Sequence, residues 1–144
     1  MSNLSAPYVL EYAYRRSTGP VIGRFLTGLR DRKIEGVRSG NGRVIVPPLE
    51  YDPETGEEIT QWVELGEEGV VQTWAWVHHP QRLHPLKHPF AWALIRLDGA
   101  HTDLLHAVDA GDIASMESGM RVRVRWASET VGSIRDIECF EVLP

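Results

Sequence analysis

The chain has 144 residues, of which 42% are hydrophobic and 24% are charged, and these fractions are typical of a globular protein rather than a disordered or fibrous one. Its formal net charge of −5 argues against a domain that binds nucleic acid mainly through the phosphates. The single cysteine, Cys139, excludes an internal disulfide and a zinc site built from cysteines, and no apolar run reaches the ~18 residues that span a bilayer.

The first residues lack the charged region and apolar core of a signal peptide, so we expect a cytoplasmic protein. Residues 8–14 are aromatic and are predicted to be extended. An amphipathic helix is predicted next, because Pro20 fits a first helical turn and apolar residues then recur at helical spacing. The apolar residues of this helix are Val21, Ile22, Phe25, Leu26 and Leu29, and Arg24 and Arg30 lie on its opposite side. Glycines within the helix indicate close packing, either on its own domain or on a partner. We assign residues 1–32 to this N-terminal region.

Residues 33–64 are predicted to form two tight hairpins. Ser39-Gly40-Asn41-Gly42 is a strong turn signal between apolar residues 34–37 and 44–46, and residues 52–56 form a second turn. Two hairpins joined by a stiff Pro47-Pro48 link resemble the skeleton of a zinc ribbon, in which each turn carries a pair of cysteines. The corresponding positions lack cysteine, so we expect no bound zinc; they are Ser39, Gly42, Asp52 and Thr55.

Residues 65–144 are predicted to form a barrel of five β-strands. Residues 70–77 and 90–97 are rich in Val, Ile, Trp and Phe and carry apolar residues on both faces, which predicts central strands. A third strand is predicted at residues 101–108, with Leu104 or Leu105 inward, and a short helical turn within residues 109–118. Residues 134–142 close the barrel, with a bulge near Cys139 and Phe140.

The fourth strand shows the clearest alternation in the chain. Met120, Val122, Val124 and Trp126 alternate with the arginines, so one face is core and the other is a row of positive charge. The arginine row allows two interpretations: a solvated face neutralised by neighbouring acids, or a docking surface for an acidic partner or a phosphate. The arginines are Arg121, Arg123 and Arg125.

The loop between the first two barrel strands contains four histidines, which are His78, His79, His84 and His88. Interleaved prolines keep this loop extended and do not bring the imidazoles together, so we predict a solvated or partner-facing loop rather than a metal site. Cys139 lies on a predicted buried strand, where a small hydrophobe is favoured over a nucleophile. The sequence has no nucleophile elbow and no P-loop, and we assign no catalytic residue.

The order of several short motifs resembles an OB-fold family with an N-terminal zinc-ribbon-like segment, known as domain of unknown function 35 (DUF35). The motifs are Gly36-Val37-Arg38-Ser39, Pro47-Pro48, Asp52-Pro53-Glu54-Thr55-Gly56, Gly69-Val70-Val71-Gln72-Thr73-Trp74, Pro89-Phe90-Ala91-Trp92-Ala93 with Leu97-Asp98-Gly99, and Gly119-Met120-Arg121-Val122-Arg123-Val124. The resemblance implies a mainly β protein. Its five-stranded OB-fold barrel is preceded by an N-terminal helix and a degenerate, cysteine-less zinc-ribbon-like pair of β-hairpins.

The resemblance also implies a function in acyl-CoA metabolism. Members similar to this chain are non-catalytic accessory subunits of thiolase-like, sterol-carrier-type aldolases or thiolases that act on lipid or steroid side chains. The expected assembly is a hetero-oligomer, such as a dimer of heterodimers, whose substrate is a coenzyme A thioester. We expect this chain to bind no cofactor of its own, to bind no membrane, and to contact the partner through a set of polar and aromatic residues. These residues are Phe25, Arg24, Arg30, Tyr51, His78, His79, His84 and His88.

Two alternatives come from other classes of protein. An OB-fold barrel can bind single-stranded nucleic acid by stacking bases on aromatic side chains, here Trp74, Trp76 or Trp92. The acidic net charge and the predicted burial of these tryptophans count against it, so nucleic acid is not the expected ligand. An enzyme with a cryptic histidine-based site is the third and least favoured possibility.

Overall fold

A computed structural model describes residues 2–144. Residues 2–18 form no helix or strand, and helix α1 follows at Gly19–Arg30. Pro20 lies in its first turn, and the backbone N–H of Gly19 donates to Ser17 Oγ at 3.2 Å. The apolar stripe of α1 buries Phe25 and Leu29, as the helical spacing predicts.

A small antiparallel sheet follows the helix. Its strands are β1 at Ile34–Arg38, β2 at Val44–Ile45 and β3 at Gln61–Leu65, in the order β2-β1-β3. The first predicted hairpin is therefore present, but the second is reduced to a single bridge between Tyr51 and Glu58. The three-stranded sheet fits the predicted pair of hairpins, and β1 pairs with β3 over its whole length as well as with β2.

Five strands form a closed barrel. They are β4 at Glu68–Val77, β5 at Phe90–Leu97, β6 at Leu104–Asp109, β7 at Arg121–Trp126 and β8 at Ile137–Val142. Their order is β4-β5-β6-β8-β7, and β7 pairs with β4 to close the barrel. All neighbours are antiparallel except β6 and β8. A 3-10 turn at Ile113–Ser115 lies between the third and fourth barrel strands, where the OB-fold places its helix, and the predicted fold class is confirmed.

A bulge in β4 explains why its apolar residues fall on both faces in the sequence. Val71 pairs with Ile95 and Thr73 pairs with Leu94, so Gln72 is an extra residue. The extra residue reverses the alternation, and Val71, Trp74 and Trp76 all pack against the same core. β4 is a central strand of the closed barrel, as predicted, with one face in the core and Thr73 and Ala75 exposed on the other.

The bulge predicted near Cys139 and Phe140 is present in β8, at the adjacent residue Glu138. Arg125 of β7 pairs with Cys139, and Trp126 pairs with Ile137, so Glu138 is the extra residue of β8. A second 3-10 turn at Ile134–Asp136 leads into this strand.

One core joins the helix, the small sheet and the barrel. Phe25 and Leu29 of α1 and Val46 of the small-sheet region belong to the same buried cluster as Val71 and Ile95. Two motif glycines lie at close contacts. A Cβ at Gly36 would be 2.6 Å from Val46 Cγ2, and one at Gly69 would be 2.6 Å from the carbonyl oxygen of Arg96. No helix within residues 2–144 has the length and apolar character needed to cross a membrane.

Candidate partner interface

The predicted contacts on helix α1 separate into buried and accessible residues. Phe25 is only 2% exposed and packs in the core, so its assignment as a partner contact is corrected. The Arg24 guanidinium donates to both carboxylate oxygens of Glu35, at 2.8 and 3.1 Å, and lies 4.2 Å from the centroid of the Trp62 ring. These contacts attach α1 to the small sheet. Arg30 is exposed, with its Nε 3.3 Å from the Asp31 carboxylate, and remains accessible.

The four loop histidines do not form one site. The half-buried His84 ring meets Phe90 and Trp92 edge-on, with ring centroids 5.5 and 6.2 Å apart. His88 Nε2 lies 3.0 Å from the Asp109 carboxylate. These contacts hold His84 and His88 against the barrel. Of the four loop histidines, His78 and His79 are exposed and make no such contact with the barrel. Nowhere in residues 2–144 do three or more His, Cys, Asp or Glu side chains converge as a metal site would require.

Hydrogen bonds join the two turns at residues 39–42 and 52–56. The buried Asp52 carboxylate accepts backbone N–H groups from Glu54 at 2.8 Å, Gly40 at 3.2 Å and Thr55 at 3.4 Å. The Glu54 N–H is the main cause that holds the pKa of Asp52 below its ordinary value, against the opposing effect of burial. Because Gly40 belongs to the first turn and Asp52 to the second, this carboxylate joins the two turns.

The hydroxyl of the other buried turn residue, Ser39, donates to Asn41 Oδ1 within the first turn. Asn41 Nδ2 donates to Glu54 at 3.1 Å, which adds a second link between the turns. Gly42 is exposed at a positive φ of 85°, and Thr55 is also exposed. Tyr51, beside the second turn, is 57% exposed and remains accessible to a partner.

Every arginine of the β7 row is paired with carboxylates. Arg121 donates to Asp98 at 2.6 and 2.7 Å and to Glu68 at 2.9 Å. Arg123 donates to Glu141 at 2.8 Å. Arg125 donates to Glu138 at 2.6 Å and to Asp109 at 2.9 Å. The hydrogen bond from Arg121 lowers the pKa of Asp98. This geometry supports the interpretation of a neutralised, solvated face.

Burial shifts the pKa values of two titratable groups on the barrel strands toward the neutral form. Burial raises the pKa of the Cys139 thiol to about 12. Burial also lowers the pKa of His106, whose Nδ1 accepts the backbone N–H of Ala107 at 2.9 Å. The predicted placement of His101 and His106 on one strand is wrong. His101 precedes β6, and its Nδ1 accepts the N–H of Val44 at 3.0 Å, which links the barrel to the small sheet.

The sequence did not reveal an apolar groove on the outer side of β5 and β6. Its volume is about 510 Å³, and it lies between the histidine loop and the turn before β8. Leu83, Leu105 and Ile134 line it and are partly exposed, with His106 at the barrel side. Leu94 pairs with Leu105 across the strands, and both are exposed. The sequence signal for this groove was the alternation of β5, which places the apolar side chain of Leu94 on the outer face of the barrel.

A second missed surface is the N-terminal arm, defined as residues 2–17. Six large apolar side chains in the arm are between 62% and 98% exposed, and they are Leu4, Tyr8, Val9, Leu10, Tyr12 and Tyr14. Such density of exposed apolar side chains is unusual for a folded monomer and is typical of an interaction site. The sequence signal was present in the aromatic residues of this stretch.

Comparisons with known proteins agree with the OB-fold of this chain. Residues 62–127 match the sequence model of the C-terminal OB-fold domain of ChsH2. Among curated protein sequences, none matches. A crystal structure of a DUF35 protein of unknown function from Sulfolobus solfataricus has 22% identity and a TM-score of 0.64, covering 87% of this chain and 83% of that chain. A structure of the Ltp2-ChsH2(DUF35) aldolase has 22% identity and a TM-score of 0.65, covering 89% of this chain and 98% of that chain.

The sequence match covers most of β3 to β7, and the structural matches extend over the helix, the small sheet and the barrel. Residues 62–127 are therefore similar to the C-terminal OB-fold domain of ChsH2, and the chain shares the fold of these two DUF35 structures.

Proposed function

We propose that this chain is an accessory subunit of a heteromeric aldolase complex. The observation that carries the proposal is the match of residues 62–127 to the OB-fold domain of ChsH2. The fold shared with the Ltp2-ChsH2(DUF35) aldolase supports it. The partner subunit in this proposal is thiolase-like, of the sterol-carrier type, and the assembly is a dimer of heterodimers.

The protonation and the ion pairs of the polar side chains in this chain are consistent with catalysis by residues of the partner subunit. A thiolate nucleophile needs a low pKa, whereas burial raises the pKa of Cys139 to about 12. His106 is neutral and already accepts a backbone N–H. The β7 arginines form ion pairs with carboxylates, so binding a phosphate there would require breaking these ion pairs. In the proposed complex this chain supports the partner and carries no catalytic residue.

The substrate of the proposed complex is a coenzyme A thioester with a lipid or steroid side chain, and the reaction is cleavage of a carbon–carbon bond. This chain contributes contact surface rather than a bound cofactor. Arg30, Tyr51, His78 and His79 are the exposed members of the predicted contact set, and they remain candidates for the interface.

The test is co-expression with the thiolase-like subunit from the same genome, followed by an assay of retro-aldol cleavage of an acyl-CoA substrate. We expect the complex to be active, this chain alone to be inactive, and the partner alone to be weakly active or insoluble. A partner that is fully active and soluble without this chain would contradict the proposal. The control is the same complex carrying Val131→Ser in this chain, which should assemble and react like the wild type. Val131 is exposed and lies outside the predicted contacts.

A further inference from the structure

The N-terminal arm presents its apolar side chains with the period of an extended strand. Tyr8, Leu10, Tyr12 and Tyr14 alternate with other residues, and in an extended segment they would share one face. Glu11 and Arg15 fall on the opposite face. An arm of this pattern can lay one apolar face on a protein surface while keeping its charged residues in water.

The arm does not pack in the core of its own chain. None of its residues belongs to the three buried clusters of residues 2–144. Its end is nevertheless well defined, because Ser17 contacts the first turn of α1 and α1 packs through Phe25 and Leu29. At ~3.3 Å per residue, an extended arm of this length reaches about 50 Å from the body of the protein.

The area of the arm matches what a stable interface needs. Aromatic side chains bury ~150–250 Å² each, so three tyrosines alone offer about 450–750 Å². Standard protein interfaces bury ~800 Å² on each partner. With Leu4 and Leu10 of the same face added, the arm by itself is large enough to provide one side of such an interface.

We propose that the N-terminal arm is the segment that docks on the aldolase partner, with Tyr8, Leu10, Tyr12 and Tyr14 seated on an apolar surface of that subunit. This inference rests on the proposed function and names the part of the chain that holds the complex together. The arm becomes ordered only when the partner is bound, and the barrel and small sheet then lie against the partner as a rigid body.

The test measures binding of purified chain variants to the thiolase-like subunit obtained by co-expression. One variant lacks residues 2–14 and keeps the Ser17 contact with α1. A second carries Tyr8→Ser, Leu10→Ser and Tyr12→Ser together. Both should bind at least about 30-fold more weakly than the full chain, the size expected when hot-spot residues are removed. Two matched controls, Val131→Ser outside the arm and Glu11→Ala on its charged face, should bind within about 2-fold of the full chain.

Hydrogen exchange supplies the second readout. Amides of residues 4–14 should exchange rapidly in the isolated chain and be protected in the complex. The arm inference alone is overturned if the deleted chain binds the partner as tightly as the full chain. It is also overturned if the arm is protected in the free monomer, which would seat it on its own barrel, or if it forms a homodimer that the deletion abolishes. If the full chain forms no complex with the partner, the proposed function and the arm inference are both overturned.

Discussion

Replacing Asp136 by alanine should be among the most destabilising single changes that leave the apolar core intact. Asp136 ends the 3-10 turn before β8 and is only 1% exposed. Its Oδ1 accepts the N–H of Val131 at 2.9 Å, and its Oδ2 accepts the N–H groups of Gly132 at 2.7 Å and Ser133 at 3.1 Å. One buried carboxylate therefore holds the whole loop that enters the last strand.

The magnitude follows from these three donors. A hydrogen bond to a charged group contributes ~1.5–3 kcal/mol, and hydration of the freed N–H groups with relaxation of the loop reduces the sum of three to about 3–5 kcal/mol. A domain of this size has a total stability of roughly 7–20 kcal/mol. At ~2–4 °C per kcal/mol, the melting temperature of Asp136→Ala should fall by about 10 °C.

Thermal and urea unfolding of the isolated chain measure this effect. Asp112→Ala is the matched control, because Asp112 also caps a 3-10 turn but is exposed and accepts a single N–H, from Ala114 at 2.7 Å. The control should lose about 1 kcal/mol or less. Equal losses in the two variants would contradict a special role for the buried carboxylate.

The same carboxylate gives a pH dependence with a defined sign. Burial opposes ionisation of Asp136, but the three backbone N–H groups outweigh it and lower its pKa in the folded state. Its contribution is therefore present above the unfolded pKa of ~3.9 and is lost as pH falls through the lower folded pKa. The stability difference between the wild type and Asp136→Asn should shrink on acidification below pH ~4. A difference that grows on acidification would contradict this assignment.

Four further predictions concern the core, the thiol, the turns and nucleic acid. Phe25→Ala should lower the free energy of unfolding by about 3–5 kcal/mol, because Phe25 is a core residue; a change below about 1 kcal/mol would contradict its burial. Cys139 should react with iodoacetamide at pH 8 only after urea unfolding, and rapid labelling of the folded chain would contradict its burial. Elemental analysis should find no stoichiometric zinc, and Asp52→Ala should accelerate hydrogen exchange in residues 39–56; bound zinc, or unchanged exchange, would contradict the hydrogen-bonded turns. Fluorescence anisotropy should show no binding of a single-stranded oligonucleotide, and a salt-dependent rise would favour the alternative function.

The parts of the fold that the sequence predicted well have local causes. The alternation of Val122 and Val124 with arginines needs only the two-residue period of a strand, and β7 confirms it. The spacing of Phe25 and Leu29 likewise identifies the apolar face of α1. It does not say whether that face is covered by the same chain or by a partner, and this is why Phe25 was assigned to the wrong surface.

Features that depend on pairing between distant segments could not be read from the sequence. The bulge at Gln72 is defined only by the register of β4 against β5, so Val71 and Trp74 look as if they point to opposite faces. The turn sequences around Ser39 and Asp52 predict the shape of each turn. The Asp52 contact with the N–H of Gly40 joins residues of different turns and appears only in the folded chain.

The histidine loop and the N-terminal arm illustrate the same distinction at the candidate interface. His84 and His88 are fixed by tertiary contacts with Trp92 and Asp109, which no local spacing reveals. The arm is different, because its apolar alternation is visible in the sequence. Its significance depends on knowing that the rest of the chain leaves Tyr8 and Tyr12 exposed.

The mass of the assembly formed with the thiolase-like subunit tests whether this chain is part of a heteromeric complex. The two proteins, co-expressed and purified through a tag on this chain, should elute as one species in size-exclusion chromatography with light scattering. We expect equal numbers of the two subunits and a mass equal to two copies of each. Separate elution of this chain as a monomer of 16.2 kDa, with the partner in its own peak, would contradict the account.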